Sequence, residues 1–166
     1  MGIVTGRCWA QLGMAVFACV AGFAWAQPTD ERPGQNVADM KLKPFPGMPS
    51  CALGSVVNGD PGKGPSIIFA KTSTGCTVPW HWHTSNEHLM IVKGVARLEM
   101  QSGGPPITLR AGGYALMPST HVHRFHCTSS CEFYVYTDGA FDIHYVDSKG
   151  KELSPDQALH PASQPN

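Results

Sequence analysis

The tetrapeptide Trp80-His81-Trp82-His83, followed closely by Glu87, constrains this chain more than any other stretch of its 166 residues. Residues two apart on an extended strand share a face, so His81 and His83 point one way and the two tryptophans the other. Thr84-Ser85-Asn86 can turn the chain, and Glu87 opens a second apolar run, His88-Leu89-Met90-Ile91-Val92. A strand built only for burial would carry Val or Ile where the histidines stand. Two imidazoles and a carboxylate converging from neighbouring strands form a ligand set for one divalent transition metal ion, with Fe, Mn, Ni, Cu, Co and Zn all admissible. A buried Glu also needs a partner, which a cation supplies.

A second stretch offers the missing ligand. Gly112-Gly113-Tyr114-Ala115-Leu116-Met117-Pro118-Ser119-Thr120-His121-Val122-His123 reads as a glycine turn, an apolar run, a proline-led turn and histidine. The first stretch resembles the first cupin motif, Gly-x5-His-x-His-x3-4-Glu-x6-Gly, at Gly75, His81, His83, Glu87 and Gly94. The second resembles the second cupin motif, Gly-x5-Pro-x-Gly-x2-His-x3-Asn, at Gly112, Pro118 and His123. It departs at Thr120, where the family has Gly, and at Cys127, where it has Asn. The resemblance spans roughly residues 51 to 147. It implies His81, His83, Glu87 and His123 as metal ligands, with His121 the alternative to His123. It further implies that Glu87 is the catalytic group, acting as ligand and general base.

The rest of the chain reads as all-β. Strands are expected at Ala52 to Val57, Ser66 to Ala70, Val95 to Met100, Ile107 to Leu109, Glu132 to Thr137 and Phe141 to Val146, besides the motif strands. Turn signals separate them, among them Asn58-Gly59-Asp60-Pro61-Gly62 and Ser102-Gly103-Gly104-Pro105-Pro106. Short, evenly spaced strands mean a sandwich or barrel; the resemblance specifies a single cupin-type antiparallel barrel, or jelly roll. The strongest helical signal is the short stretch Ser154 to Leu159. By alternation, Leu89, Ile91, Ala115, Met117 and Phe125 should line an apolar interior around the ion. Trp80 and Trp82 should lie on the opposite face in core or interface packing rather than stack on a substrate, and His88, His126, His144 and His160 should stay out of the ligand set.

Residues 1–26 read as an export signal: Arg7 supplies positive charge, Leu12 to Phe23 an apolar core, and Ala24-Trp25-Ala26 a cleavage site before Gln27. The alternative is a membrane anchor, but the uncharged stretch barely reaches the ~20 residues needed to span. Residues 27–50, punctuated by five prolines from Pro28 to Pro49, read as an arm or linker, 51–150 as the barrel and 151–166 as a tail. The chain has 12 basic and 12 acidic side chains and no basic cluster, which excludes tracking of a nucleic-acid backbone.

With Cys8 and Cys19 removed, Cys51, Cys76, Cys127 and Cys131 remain, an even count that suggests disulfides in an exported protein. Cys127 and Cys131 are spaced to staple a tight hairpin, leaving Cys51 with Cys76. In a cupin-like barrel the strands of His81 and His123 should be neighbours, so Cys76 with Cys127 is the alternative.

Function is read from the resemblance. It implies an exported, metal-dependent oxidoreductase of dioxygenase type acting on a small organic substrate with O2. The alternatives are a non-catalytic metal or small-ligand binder and a metal-dependent isomerase or lyase. A homodimer is compatible with these readings.

Overall fold

The structure, a computed structural model, describes residues 34–161; the signal-like stretch 1–26 and the first part of the arm lie outside them. A 3-10 turn at Val37–Asp39 leads into twelve strands and one short helix. The strands are β1 (Lys43–Pro44), β2 (Ala52–Gly59), β3 (Ser66–Thr72), β4 (Thr77–Trp82), β5 (Glu87–Lys93) and β6 (Val95–Met100). After them come β7 (Ile107–Arg110), β8 (Tyr114–Met117), β9 (His123–Cys127), β10 (Cys131–Thr137), β11 (His144–Val146) and β12 (Glu152–Leu153). They form two antiparallel six-stranded sheets, in the orders β1-β2-β3-β10-β5-β8 and β12-β11-β4-β9-β6-β7. This is the all-β jelly roll expected from the strand and turn pattern.

Alternation builds the core. Along β10, Cys131, Phe133, Val135 and Thr137 are buried while Glu132, Tyr134 and Tyr136 are half-exposed. Ala96 and Leu98 on β6 point inward, with Arg97 exposed and Glu99 half-exposed between them. The buried faces of both sheets, with Leu89, Ile91, Ala115, Met117 and Phe125 among them, merge into one cluster. Burying such side chains contributes roughly 1.5–3 kcal/mol each.

Turns hold the sheets at fixed separations. At Gly94, between β5 and β6, φ is +90°, and a Cβ there would fall 2.1 Å from the Ser130 carbonyl oxygen. Only glycine fits both demands. Thr120 is the one non-glycine residue with positive φ among the described residues, at +63°. It stands where the cupin motif has Gly, so a β-branched residue occupies a backbone well that glycine fills without strain. Relief of about 1–2 kcal/mol is partly offset by glycine's larger unfolded-state entropy. Thr120→Gly should therefore stabilise the fold by roughly 0.5–1 kcal/mol, raising the melting temperature by a few degrees; a fall would show that the Thr120 hydroxyl bond to the Ser119 carbonyl outweighs the strain.

Three expectations need correction. Cys127 and Cys131 are not bridged, and they do not flank a hairpin: β9 lies in one sheet and β10 in the other. Both thiols are buried and free: Thr72 donates to Cys127 Sγ at 2.9 Å, and Cys131 donates to the Val95 carbonyl at 3.4 Å. Burial and the neighbouring Cys131 push the Cys127 thiol up to about 12, against the smaller opposing effect of Thr72. The Cys76–Cys127 alternative has the backbone proximity it needs, since Cys127 N–H donates to the Cys76 carbonyl at 2.9 Å. The disulfide nevertheless joins Cys51 to Cys76.

The strand expected at Phe141 to Val146 is shorter, His144–Val146, and is followed by the two-residue β12. Just before His144, the Asp142 carbonyl accepts from His83 Nδ1 instead of pairing with a strand, and the Asp142 carboxylate accepts from Thr84 N–H at 2.8 Å. The short helix signal near Ser154 is real: α1 (Pro155–Leu159) starts with a capping box between Ser154 and Gln157. No helix of the described residues is long and apolar enough to cross a membrane.

Candidate metal centre

Proline explains how β4 aims its histidines. A strand interior cannot pair through Pro79, which has no N–H. The register between β4 and β9 accordingly breaks between Val78 and His81. The break frees the Pro79 carbonyl, which accepts from His81 Nδ1 at 2.6 Å. Pairing then resumes with His81 opposite His123, so two imidazoles face the interior from adjacent strands.

Glu87 comes from the other sheet, on β5, paired to Met117 on β8 and Thr137 on β10. His83 lies just past the end of β4, on the loop that carries the chain across to β5. The loop is tied down by side chains. Asn86 N–H and Nδ2 donate to the Asp138 carboxylate at 3.0 and 2.6 Å, and its Oδ1 accepts from Ser119 N–H at 2.9 Å. Ser119 Oγ donates to the Thr84 carbonyl at 2.6 Å.

The structure brings His81, His83, Glu87 and His123 together with one ligand atom from each, all within 4.8 Å of one another. All four residues are buried. His83 and His123 place Nε2 at 3.3 and 3.2 Å from Glu87 Oε2. The His81 and His123 rings lie 4.2 Å apart, centroid to centroid.

The three tautomers can be read from the partners of the other ring nitrogen. Nδ1 of His81, His83 and His123 each faces a backbone carbonyl, of Pro79, Asp142 and His121 respectively. A carbonyl only accepts, so each Nδ1 carries the proton and, in the neutral imidazole, each Nε2 presents a lone pair. Such backbone bonds are how metal-binding histidines are held in orientation. His83 Nε2 is fully buried, has no hydrogen-bond partner and only the ion-pair contact with Glu87. An orphaned buried nitrogen of this kind costs about 1–3 kcal/mol unless something fills its lone pair. The donor set of three nitrogens and one oxygen suits a divalent transition metal ion.

The charge state of the centre follows from burial and mutual contact. Burial, then the neighbouring His123 and His83, hold His81 well below the usual histidine range, so it is neutral. Burial acts to raise the Glu87 carboxyl, but His83 and His123 outweigh it and hold the group well below its ordinary value. For His83, burial acts downward while Glu87 lifts it, and the net direction is upward. A single buried negative charge thus sits among three imidazoles.

The other histidines stay outside. His121 is exposed and only its carbonyl reaches the centre. His88 shares a 2.8 Å hydrogen bond with the Tyr114 hydroxyl, and His126 one of 2.7 Å with Thr77. His144 pairs with Asp142 at 3.2 Å and stacks on Trp82 with centroids 4.0 Å apart. Trp80 lies under the Arg124 guanidinium. His160 is exposed.

Sequence reasoning missed the supports. Asn86 looks like an ordinary loop polar residue, Asp142 on its expected strand favours plain hydrogen bonding over support of the site, and the use of a backbone carbonyl leaves no mark in a sequence. It also missed the cavity's outer wall. A cavity of about 70 Å³, partly open to solvent, adjoins the centre, and Phe45, Met48, Phe141 and Ile143 join the expected barrel residues around it. Phe45 and Met48 belong to the proline-rich arm, whose position no local pattern reveals.

The cupin domain family model matches residues 69–137, from within β3 to the end of β10. No curated protein matches the sequence. Among solved structures, the polyketide cyclase RemF from Streptomyces resistomycificus is similar with a TM-score of 0.63 and 15% identity, covering 76% of this chain and 92% of that one. An RmlC-like cupin from Shewanella frigidimarina NCIMB 400 is similar at 0.55 and 13%, covering 66% and 93%. DMSP lyase DddQ from Ruegeria pomeroyi DSS-3 is similar at 0.52 and 20%, covering 61% and 57%. At these identities the likeness is one of fold.

Proposed function

We propose that this cupin-type barrel is a metal-dependent oxidoreductase of dioxygenase type, working on a small organic substrate at His81, His83, Glu87 and His123. The observation that carries the reading is the set of three imidazoles, each held by a carbonyl at Nδ1, whose Nε2 atoms converge with one carboxylate on the floor of an apolar cavity. When bound, the ion would supply a Lewis acid with open positions for an enolate or catecholate and for dioxygen.

The chain's own part follows from its residues. Glu87 is the only carboxylate lining the cavity among the described residues, so it is the lining group placed to take a substrate hydroxyl's proton. Leu98, Phe125 and Phe133 make the wall of the same cavity apolar, which limits the water and the side reactions available there. Asp142 orients His83 through its carbonyl and the loop through its carboxylate.

A second reading, a binder that captures a metal or small ligand without turning it over, is favoured by one observation. Apart from the four clustered side chains and Thr72, no lining side chain carries a nitrogen or oxygen. That scarcity also weighs against isomerase or lyase chemistry that needs a separate acid and base. The test is to load the protein with Fe2+ anaerobically, mix it with a panel of catechols and flavonols, and admit air. Substrate-dependent oxygen uptake is expected; inertness across the panel with the iron retained would favour the binder.

Export is part of the proposal. It is supported by the charged, apolar and small-residue order of residues 1–26 and by the Cys51–Cys76 bridge, a bond at home in oxidising compartments. Amino-terminal sequencing of the protein isolated from its own cell should begin at Gln27. A start at Met1 would overturn the cleavage.

A further inference from the structure

We propose that the ligand of this centre has a single oxygen-bearing head and an otherwise uncharged, apolar body, and that Phe45 is the wall that limits its length. The inference rests on the metal-centre reading above and narrows it.

The cavity wall makes the first half of the argument. Of its described lining side chains, only Thr72, His81, His83, Glu87 and His123 carry nitrogen or oxygen atoms. Four of these form the cluster. Thr72, 3% exposed, already donates its hydroxyl hydrogen to Cys127 Sγ. No lysine or arginine lines the space. A second carboxylate on the ligand would therefore enter with no counter-charge, and a row of sugar hydroxyls would give up water for no partners. Each such group should lower affinity roughly tenfold or more. An aromatic or aliphatic body instead meets Phe125, Phe133, Phe141, Leu98 and Ile143 and gains by burial.

Phe45 makes the second half. The turn at Phe45 to Met48 is closed by a 3.1 Å bond from Met48 N–H to the Phe45 carbonyl. Tyr145, 1% exposed, reaches out of the core and donates its hydroxyl to the Gly47 carbonyl at 2.8 Å. The Phe45 ring sits where a side chain at position 54 would be: a Cβ on Gly54 would fall 2.8 Å from it. On one side the ring faces the inner cavity, on the other a shallow outer groove with Lys41, Lys43 and Ser55. One ring thus separates the apolar interior from charged surface.

The mature protein loaded with Co2+ provides the test, under anaerobic conditions, with the visible cobalt bands as the readout. Titration with 4-methyl-, 4-propyl- and 4-hexylcatechol should show affinity rising about fourfold per added methylene, then levelling once the chain meets Phe45. The analogue 3,4-dihydroxyphenylacetate has the same head and a charged tail, and should bind at least tenfold more weakly than 4-propylcatechol. Phe45→Ala should move the plateau to longer chains, and the milder Phe45→Leu should do so to a smaller extent. Cobalt bands with no dependence on chain length, or with equal affinity for the charged tail, would overturn the inference while leaving the metal centre standing. An unmoved plateau in both variants would overturn the role of Phe45. Failure of Co2+ to bind at all would overturn the metal-centre reading and this inference with it.

Discussion

A divalent ion such as Co2+, added at a hundred times its dissociation constant, should raise the melting temperature of the mature protein by about 10 °C, and a chelator should reverse the rise. The magnitude follows from mass action. Binding to the folded state alone adds about 2.7 kcal/mol at that concentration, and a domain of this size gains a few degrees per kcal/mol. The physical source is local. Without an ion, His83 Nε2 is buried with no hydrogen-bond partner, and Glu87 stands as a lone buried carboxylate among three imidazoles. An ion would satisfy all four at once. It would also tie the two sheets together, since Glu87 lies in one and His81 and His123 in the other.

The variants make the prediction specific. Glu87→Gln keeps the side chain's shape and removes its charge, and should weaken metal binding by more than about 100-fold, beyond the usual cost of losing a supporting residue. His123→Ala should likewise abolish the thermal shift. His121→Ala should keep it, because His121 contributes only a carbonyl that alanine also has. A full-size shift in Glu87→Ala would remove the centre from consideration.

The second large effect is expected at the disulfide. Cys51 precedes β2 in one sheet and Cys76 precedes β4 in the other, 25 residues apart. Closing a loop of that length removes unfolded-state entropy worth roughly 3.5 kcal/mol. Replacing both cysteines with alanine should lower the melting temperature by roughly 10–15 °C. Thiol titration of the denatured, unreduced mature protein should find Cys127 and Cys131 free, two thiols, and four after reduction. Finding none free would mean that those two are paired; finding four before reduction would mean that the bridge is absent.

How much of this was legible follows from where each signal lives. The alternation along Val95 to Met100 predicts a strand with those bounds, because period-two burial is a local property of the chain. The proximity of His81, His83 and Glu87 is nearly as local: two strands and one loop bring them together. His123 entered through the cupin motif, and only the pairing of β4 with β9 sets it opposite His81. The hairpin staple at Cys127 and Cys131 misled, because a spacing of four positions looks the same whether a chain doubles back within one sheet or crosses to another. Thr120 shows the reverse case. Its place in the motif marks a glycine position, and the backbone there does adopt positive φ.

The amino-acid sequence by itself determined an all-β barrel and nominated the histidines and the glutamate, because burial alternates with period two and metal-binding side chains have no reason to occupy strand interiors otherwise. Only the tertiary structure decided which carbonyls orient the three imidazoles, which cysteines meet, and how the proline-rich arm lays Phe45 over Gly54 as part of the cavity wall. Those outcomes depend on contacts between segments far apart in the chain, many made by backbone atoms that every residue shares, so no residue type announces them in advance.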